Sequence, residues 1–150
     1  MENAFSKVVA ILLTVAMLFG VPYVYERQRN ENILQYYLTA KSVEFVDGIR
    51  HTGFVSEEGL DAFYYLLSRT DRLYAVDLVH EKRVVDENTL TSVWEAYGEK
   101  DMREIFASGE VYDFATGDRI LLTMTGQNGE TLVSYGGTIL AERERKGSDA

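Results

Sequence analysis

The sequence predicts an α+β chain: a long N-terminal transmembrane helix continuing into a small head of two short helices and a three- to four-stranded, mainly antiparallel sheet. Three observations carry this. Val8 to Tyr25 is eighteen residues without a charged side chain. Helical spacing of apolar residues then recurs in two short blocks, and the last third of the chain alternates with period two around glycine-rich turns.

As a helix, Val8 to Tyr25 spans about 27 Å at 1.5 Å per residue, close to the hydrocarbon thickness of a bilayer. A cleaved signal and a buried helix are the competing readings. No Ala-x-Ala-like pair follows Leu18 and Phe19, and Gly20-Val21-Pro22 makes a poor cleavage site. Tyr23 and Tyr25 close the run where amphipathic rings favour the headgroup layer, and Glu26, Arg27 and Arg29 mark the exit into water. The expected anchor therefore includes Val8, Ile11, Leu12, Val15, Leu18, Phe19, Tyr23 and Tyr25, with Thr14 and Gly20 as small or hydroxyl-bearing contact points for a neighbouring helix. Pro22 introduces a possible kink, which a membrane helix can absorb.

From Glu26 to Arg50 the only glycine or proline is Gly48, and Leu34, Leu38, Phe45, Val46 and Ile49 follow one helical stripe. One helix is expected to run from the membrane into the head, weakened at Gly48 and ended by Gly53 in a positive-φ conformation. Tyr36 and Tyr37, and later Tyr64 and Tyr65, sit about 100° apart on their helices, so one ring of each pair should be buried. Outward Tyr36 and Gln35, among alternating charges, are candidate contacts with a partner helix.

Ser56 is a plausible N-cap for a helix carrying Leu60, Phe63, Tyr64 and Leu67. Leu73 to Glu81 reads as a strand with Tyr74, Val76, Leu78 and His80 on one face and Leu73, Ala75, Asp77 and Val79 on the other. Asp86 is expected to cap a second helix bearing Leu90, Val93, Trp94 and Tyr97, closed by Gly98, and Asp101 to cap a further turn with Met102, Ile105 and Phe106. Asp118 to Thr125 and Thr131 to Tyr135 should pair antiparallel through a loop containing Asn128-Gly129. Gly136 and Gly137 look like a bulge or turn before Thr138 to Ala141. The expected organisation is a short head at 1–7, the transmembrane helix at 8–25, a stalk at 26–52, a soluble α+β domain at 53–141 and a charged tail at 142–150.

The formal charge of −9 lies entirely after the anchor, because Glu2 and Lys7 cancel, and such a surface repels nucleic acid. The absence of cysteine excludes disulfides and thiol chemistry. Counting positive flanking charges (Lys7 against Arg27, Arg29 and Lys41) mildly favours a cytoplasmic head. Glu26 and Glu31 on the same flank, and a head of only seven residues before the anchor, weigh toward export. A single-pass cell-membrane protein with an extracytoplasmic domain is expected.

No catalytic, cofactor or metal constellation is expected. His51 reads as a cap on the last carbonyls of the long helix, and His80 as a solvated edge residue separated from Asp77 by strand alternation. Glu110, Asp113 and Asp118 read as turn chemistry. An enzyme would have to conscript Asp77, His80 and Asp113, whereas a tethered sensor or ligand-binding module would need a pocket lined by Trp94, Tyr97 and Tyr112.

Phe45-Val46-Asp47-Gly48-Ile49-Arg50-His51-Thr52-Gly53-Phe54-Val55, then Phe63 with Leu66 and Leu67, then Tyr74-Ala75-Val76-Asp77-Leu78-Val79-His80 and Gly117-Asp118 ahead of a strand, resemble pilin-like proteins of Tad-type (type IVc) pilus systems in Gram-positive bacteria. The likeness spans roughly Val8 to Val133. It implies a non-enzymatic subunit held in membrane lipid and joined, through its long helix, to other pilin-like subunits, to pilus assembly proteins or to copies of itself. Type IV pilins carry Glu at the fifth mature position. With Ala4 imitating the end of a leader, that position here is Val9, which implies a minor or initiating subunit.

Overall fold

The computed structural model describes the backbone of residues 2–70, 72–86 and 91–141, and the side chains of these except residues 2, 3, 27, 86 and 91. The chain forms two compact units, Met1–Tyr37 and Leu38–Ala150. The elements are α1 (Glu2–Thr52), β1 (Phe54–Val55), α2 (Glu57–Ser68), β2 (Ala75–Asp86), β3 (Thr91–Tyr97), α3 (Glu99–Phe106), β4 (Tyr112–Asp113), β5 (Arg119–Thr125) and β6 (Thr131–Thr138). The tail from 142 lies outside the described residues.

The described residues of the first unit are all helix. Pro22 and Gly20 are both accommodated inside α1, and the hydroxyl of Thr14 donates to the carbonyl of Ala10 at 2.8 Å, closing its polarity onto its own backbone. One window in this helix is long and apolar enough to cross a membrane, and none of that window is buried in protein.

In the second unit the last turns of α1 are core. Leu38, Val46 and Ile49 are buried, as the stripe predicted, and Ser42 joins them by directing its hydroxyl to the sulfur of Met124 at 3.2 Å. Phe45 stacks on Phe63 of α2 with centroids 4.4 Å apart. The helix ends at Gly53, whose amide donates to the Ile49 carbonyl and whose φ of 75° a side-chain-bearing residue adopts only with strain. Ser56 caps α2 as expected, its Oγ accepting from the Gly59 amide at 3.1 Å, and Leu60, Phe63 and Leu67 are buried.

The main sheet is fully antiparallel, in the order β3-β2-β5-β6, and β1 pairs with β4 in a separate two-stranded ribbon. Alternation along β2 is as predicted: Leu78 and His80 point into the core, while Ala75 and Asp77 face solvent. Opposite them Ile120, Leu122 and Met124 of β5 fill the same layer.

Three expectations are corrected. The helix expected over Leu90 to Tyr97 is strand β3, paired with β2 through Arg83↔Trp94 and His80↔Tyr97, while Leu90 itself lies outside the described residues. Val93, Trp94 and Tyr97 satisfy helical spacing, but β2 continues to Asp86 and offers a hydrogen-bonding ladder that a helix here would leave unpaired. Asp86 accordingly ends a strand instead of capping a helix. The α3 turn does form, with Met102 and Phe106 buried, but its N-cap is Gly98; Asp101 serves at the third helical position, accepting from the Gly98 amide at 2.7 Å. Finally, Gly136 and Gly137 lie inside β6, and the ladder irregularity falls between Met124 and Thr125. They are glycines because neighbours come close: a Cβ on Gly136 would stand 2.4 Å from the Ile120 carbonyl oxygen, and one on Gly137 2.6 Å from Nε of Arg50.

That contact is part of the fastening of α1 to β6. Arg50 donates from Nε to the Thr138 carbonyl at 3.0 Å and from its terminal nitrogen to Asp47 at 2.6 Å, and Tyr135 donates to the same Asp47 oxygen at 3.1 Å. The Arg50 guanidinium beside Asp47 holds its carboxyl below the ordinary value of 3.8.

Candidate functional site

Two features have no role in simply closing a core. The first is the bare face of α1. Val8, Ile11, Leu12, Val15, Leu18, Phe19, Tyr23 and Tyr25 are all exposed, on every side of the helix. A helix apolar all round is stable in water only when buried in protein; otherwise it belongs in lipid. Ala16 and Gly20 open a shallow groove on one side, flanked by Leu13, Met17, Val21 and Val24. A Cβ at Gly20 would meet nothing within 4 Å, so this glycine leaves room for another molecule and is not required by its own chain. Of the two expected contact points on the anchor, Thr14 already spends its proton on Ala10. Tyr36 is 77% exposed and Tyr37 is exposed as well, so the expectation that one of the pair is buried fails. Burial along α1 begins only at Leu38, past both rings. In the other pair Tyr65 is exposed and Tyr64, bonded to Glu99, is only half-buried, so the expected burial of one ring is met in part.

The second feature is a buried polar chain in the head, at a residue expected to be solvated. His80 is 3% exposed, Asp118 4% and Tyr112 6%. His80 Nδ1 lies 2.7 Å from the Tyr112 hydroxyl and Nε2 2.9 Å from Asp118 Oδ2. A carboxylate oxygen can only accept, so Nε2 carries the proton, and Nδ1 accepts from Tyr112. Burial holds the His80 pKa below its ordinary 6.5, outweighing the opposing pull of Asp118, and burial likewise pushes the Tyr112 phenol above its ordinary 10.0. Both shifts favour this one arrangement of protons. Phe114 and Tyr112 meet the imidazole edge-on at 4.7 and 5.5 Å, and Tyr97 lies tilted at 5.9 Å. The solvated-edge reading of His80 is therefore overturned: β4 and the turn before β5 cover it.

Asp118 does carry the expected turn chemistry as well, since the same Oδ2 accepts from the Ala115 amide at 2.9 Å. His51 caps as predicted, with Nδ1 2.7 Å from the Asp47 carbonyl. The remaining candidates do not converge. Asp77 is exposed on the face opposite His80, and Asp113 points away from the neighbouring, buried Tyr112. Trp94 and Tyr97 face opposite sides of β3, and Trp94 is occupied by the Arg119 guanidinium 4.3 Å from its ring centre. Trp94, Tyr97 and Tyr112 thus do not face one common space; a shallow depression runs along α3 at Glu99, Lys100, Arg103, Glu104 and Ala107.

Comparison with protein-family models, with curated proteins and with solved structures returns no match.

Proposed function

We propose that this chain is a non-enzymatic, single-pass membrane-anchored, pilin-like subunit, minor or initiating, of a Tad-like type IV pilus or secretion filament, with its α+β head outside the cytoplasm. The observation that carries the reading is the division of labour within α1: its first half is apolar on all sides and unburied, while its last four turns are core of an antiparallel-sheet head. Ten Val, Ile, Leu and Phe side chains between Val8 and Tyr25 favour insertion by roughly 0.3 to 0.6 kcal/mol each, enough to hold the helix in lipid. Once in lipid, apolar burial no longer drives helices together. Association then rests on shape, as at the Ala16 and Gly20 groove, and on groups beyond the bilayer such as Tyr36. The sequence likeness to Tad-type pilin-like proteins gives this anchor-and-head plan its specific assignment.

Two measurements test it. A photo-crosslinking amino acid at Gln35 or Tyr36, in cells expressing the surrounding genes, should capture a helix of a pilin-like or assembly protein; recovery of uncrosslinked monomer alone would refute the subunit assignment. Because the chain has no cysteine, a single Ser92→Cys variant reports topology cleanly. Labelling of intact cells by a membrane-impermeant maleimide is expected, and labelling only after lysis would place the head inside.

A further inference from the structure

We propose that the Tyr112–His80–Asp118 chain is a pH-sensitive latch, in which neutral His80 fastens the β1–β4 ribbon to the main sheet and a proton taken up at Nδ1 loosens it. This holds whatever filament or partner the subunit serves. The latch stands on connectivity. His80 belongs to β2, an interior strand of the sheet, whereas Tyr112 belongs to β4, which pairs only with β1 among the described residues. The ribbon has two registered pairs, Phe54↔Asp113 and Val55↔Tyr112, extended by the bond from the Phe114 amide to the Gly53 carbonyl at 2.9 Å. So short a ladder depends on side-chain fastening, and the Tyr112 hydroxyl is its polar tie to the sheet.

The proton count makes that tie conditional. With Nε2–H directed at Asp118, the lone pair on Nδ1 is the acceptor for Tyr112. A proton arriving from solvent occupies that lone pair and turns Nδ1 into a donor, so the Tyr112 proton must find another acceptor in a site walled by Phe114 and Tyr97. A buried hydroxyl without an acceptor is costly; the apolar burial of Val55, Tyr112 and Phe114 still holds the ribbon in place, so the lost tie makes β4 open more often instead of detaching it. Asp118 stays hydrogen-bonded to the imidazolium and to the Ala115 amide, so the turn before β5 is retained.

The charges around the site support loosening. From β2, Lys82 opposes a positive charge on His80; from the turn before β5, Asp118 favours one. Asp101 of α3 acts on Tyr112 and Tyr97, with Tyr97 itself facing from β3, and burial counters ionisation of the imidazole most strongly of all. The consequence is placed at an informative point, because β1 follows directly on the end of α1, where Gly53 both terminates the helix and accepts from Phe114.

The test is amide hydrogen exchange on the full chain in detergent micelles at pH 7.5 and pH 5.0, normalised to intrinsic rates. The Phe114 amide should lose protection relative to the amides of β5 by about tenfold in acid, the equilibrium equivalent of one lost hydrogen bond. His80→Gln, whose amide can donate to Asp118 and accept from Tyr112 without titrating, should keep that protection at both pH values. Unchanged relative protection of Phe114 in the native chain overturns the latch, and so does an equal acid loss in His80→Gln. If that variant does not fold, Tyr112→Phe serves: with no hydroxyl to displace, its Phe114 amide should be weakly protected at both pH values, and a response as large as the native one would again overturn the idea.

Discussion

Leu12 and Leu38 occupy the same helix, yet Leu12 is 63% exposed and Leu38 only 1%. Around Leu12 every face is apolar and none meets protein; from Leu38 onward an apolar stripe is sealed by α2 and the sheet, while the polar residues Lys41 and Glu44 pair on the far side at 2.6 Å. One continuous hydrogen-bonded backbone thus carries an unburied apolar segment and a core segment. The difference teaches that helix formation and burial are separate questions: the backbone satisfies itself in either medium, and the side-chain pattern alone decides which medium each segment requires.

Exchanging the two leucines for alanine breaks the comparison most directly. Leu38→Ala should destabilise the head by about 2 to 5 kcal/mol, through lost transfer energy and the cavity left behind, as read by denaturant unfolding in micelles. Leu12→Ala should leave that unfolding midpoint within about 0.5 kcal/mol of native. Equal effects would mean that the first segment is packed on protein after all. Next in size, Val15→Arg should disfavour insertion by about 3 kcal/mol and move the chain from the carbonate-resistant to the soluble fraction, with the head's unfolding midpoint unchanged.

Within the head, Gly136→Ala asks whether the close approach of β6 to β5 is needed. The added Cβ has no flexible neighbour to displace at 2.4 Å from the backbone oxygen of Ile120, so a loss of about 1 to 3 kcal/mol is expected by the same unfolding assay. Ser56→Ala, which removes the cap on the Gly59 amide, should cost about 1 kcal/mol. The smallest effect is that of pH. Because the folded head holds His80 below its ordinary 6.5, the unfolded chain binds more protons just under that value. The contribution of His80 to stability is full above pH 6.5 and falls as the pH drops toward the folded-state pKa. His80→Gln should flatten that part of the profile.

Much of this architecture was legible in local pattern. The α2 helix with its Ser56 cap, the inward face of β2 at Leu78 and the hairpin of β5 and β6 all follow from spacings within a dozen residues. Strand β3 was not legible, because Val93, Trp94 and Tyr97 satisfy helical spacing while also alternating in a strand, and only the ladder offered by Lys82 to Asp86 breaks the tie. The glycine pair at 136 and 137 was misread for a related reason: a sequence displays a missing side chain but not the carbonyl or guanidinium that needs the space. The environment of His80 depended on residues 32 and 38 positions further along, so alternation gave its face but not its covering.

What the sequence determined alone was the contrast, along the first helix, between an apolar run and the amphipathic stripe after it. An uncharged apolar run long enough to span a bilayer, and the stripe that follows it, are properties of side-chain transfer energies and helical pitch, which act locally. What only the tertiary structure decided was which polar groups are dry: the Tyr112–His80–Asp118 chain exists because distant segments meet, and desolvation, unlike periodicity, is a property of the surroundings.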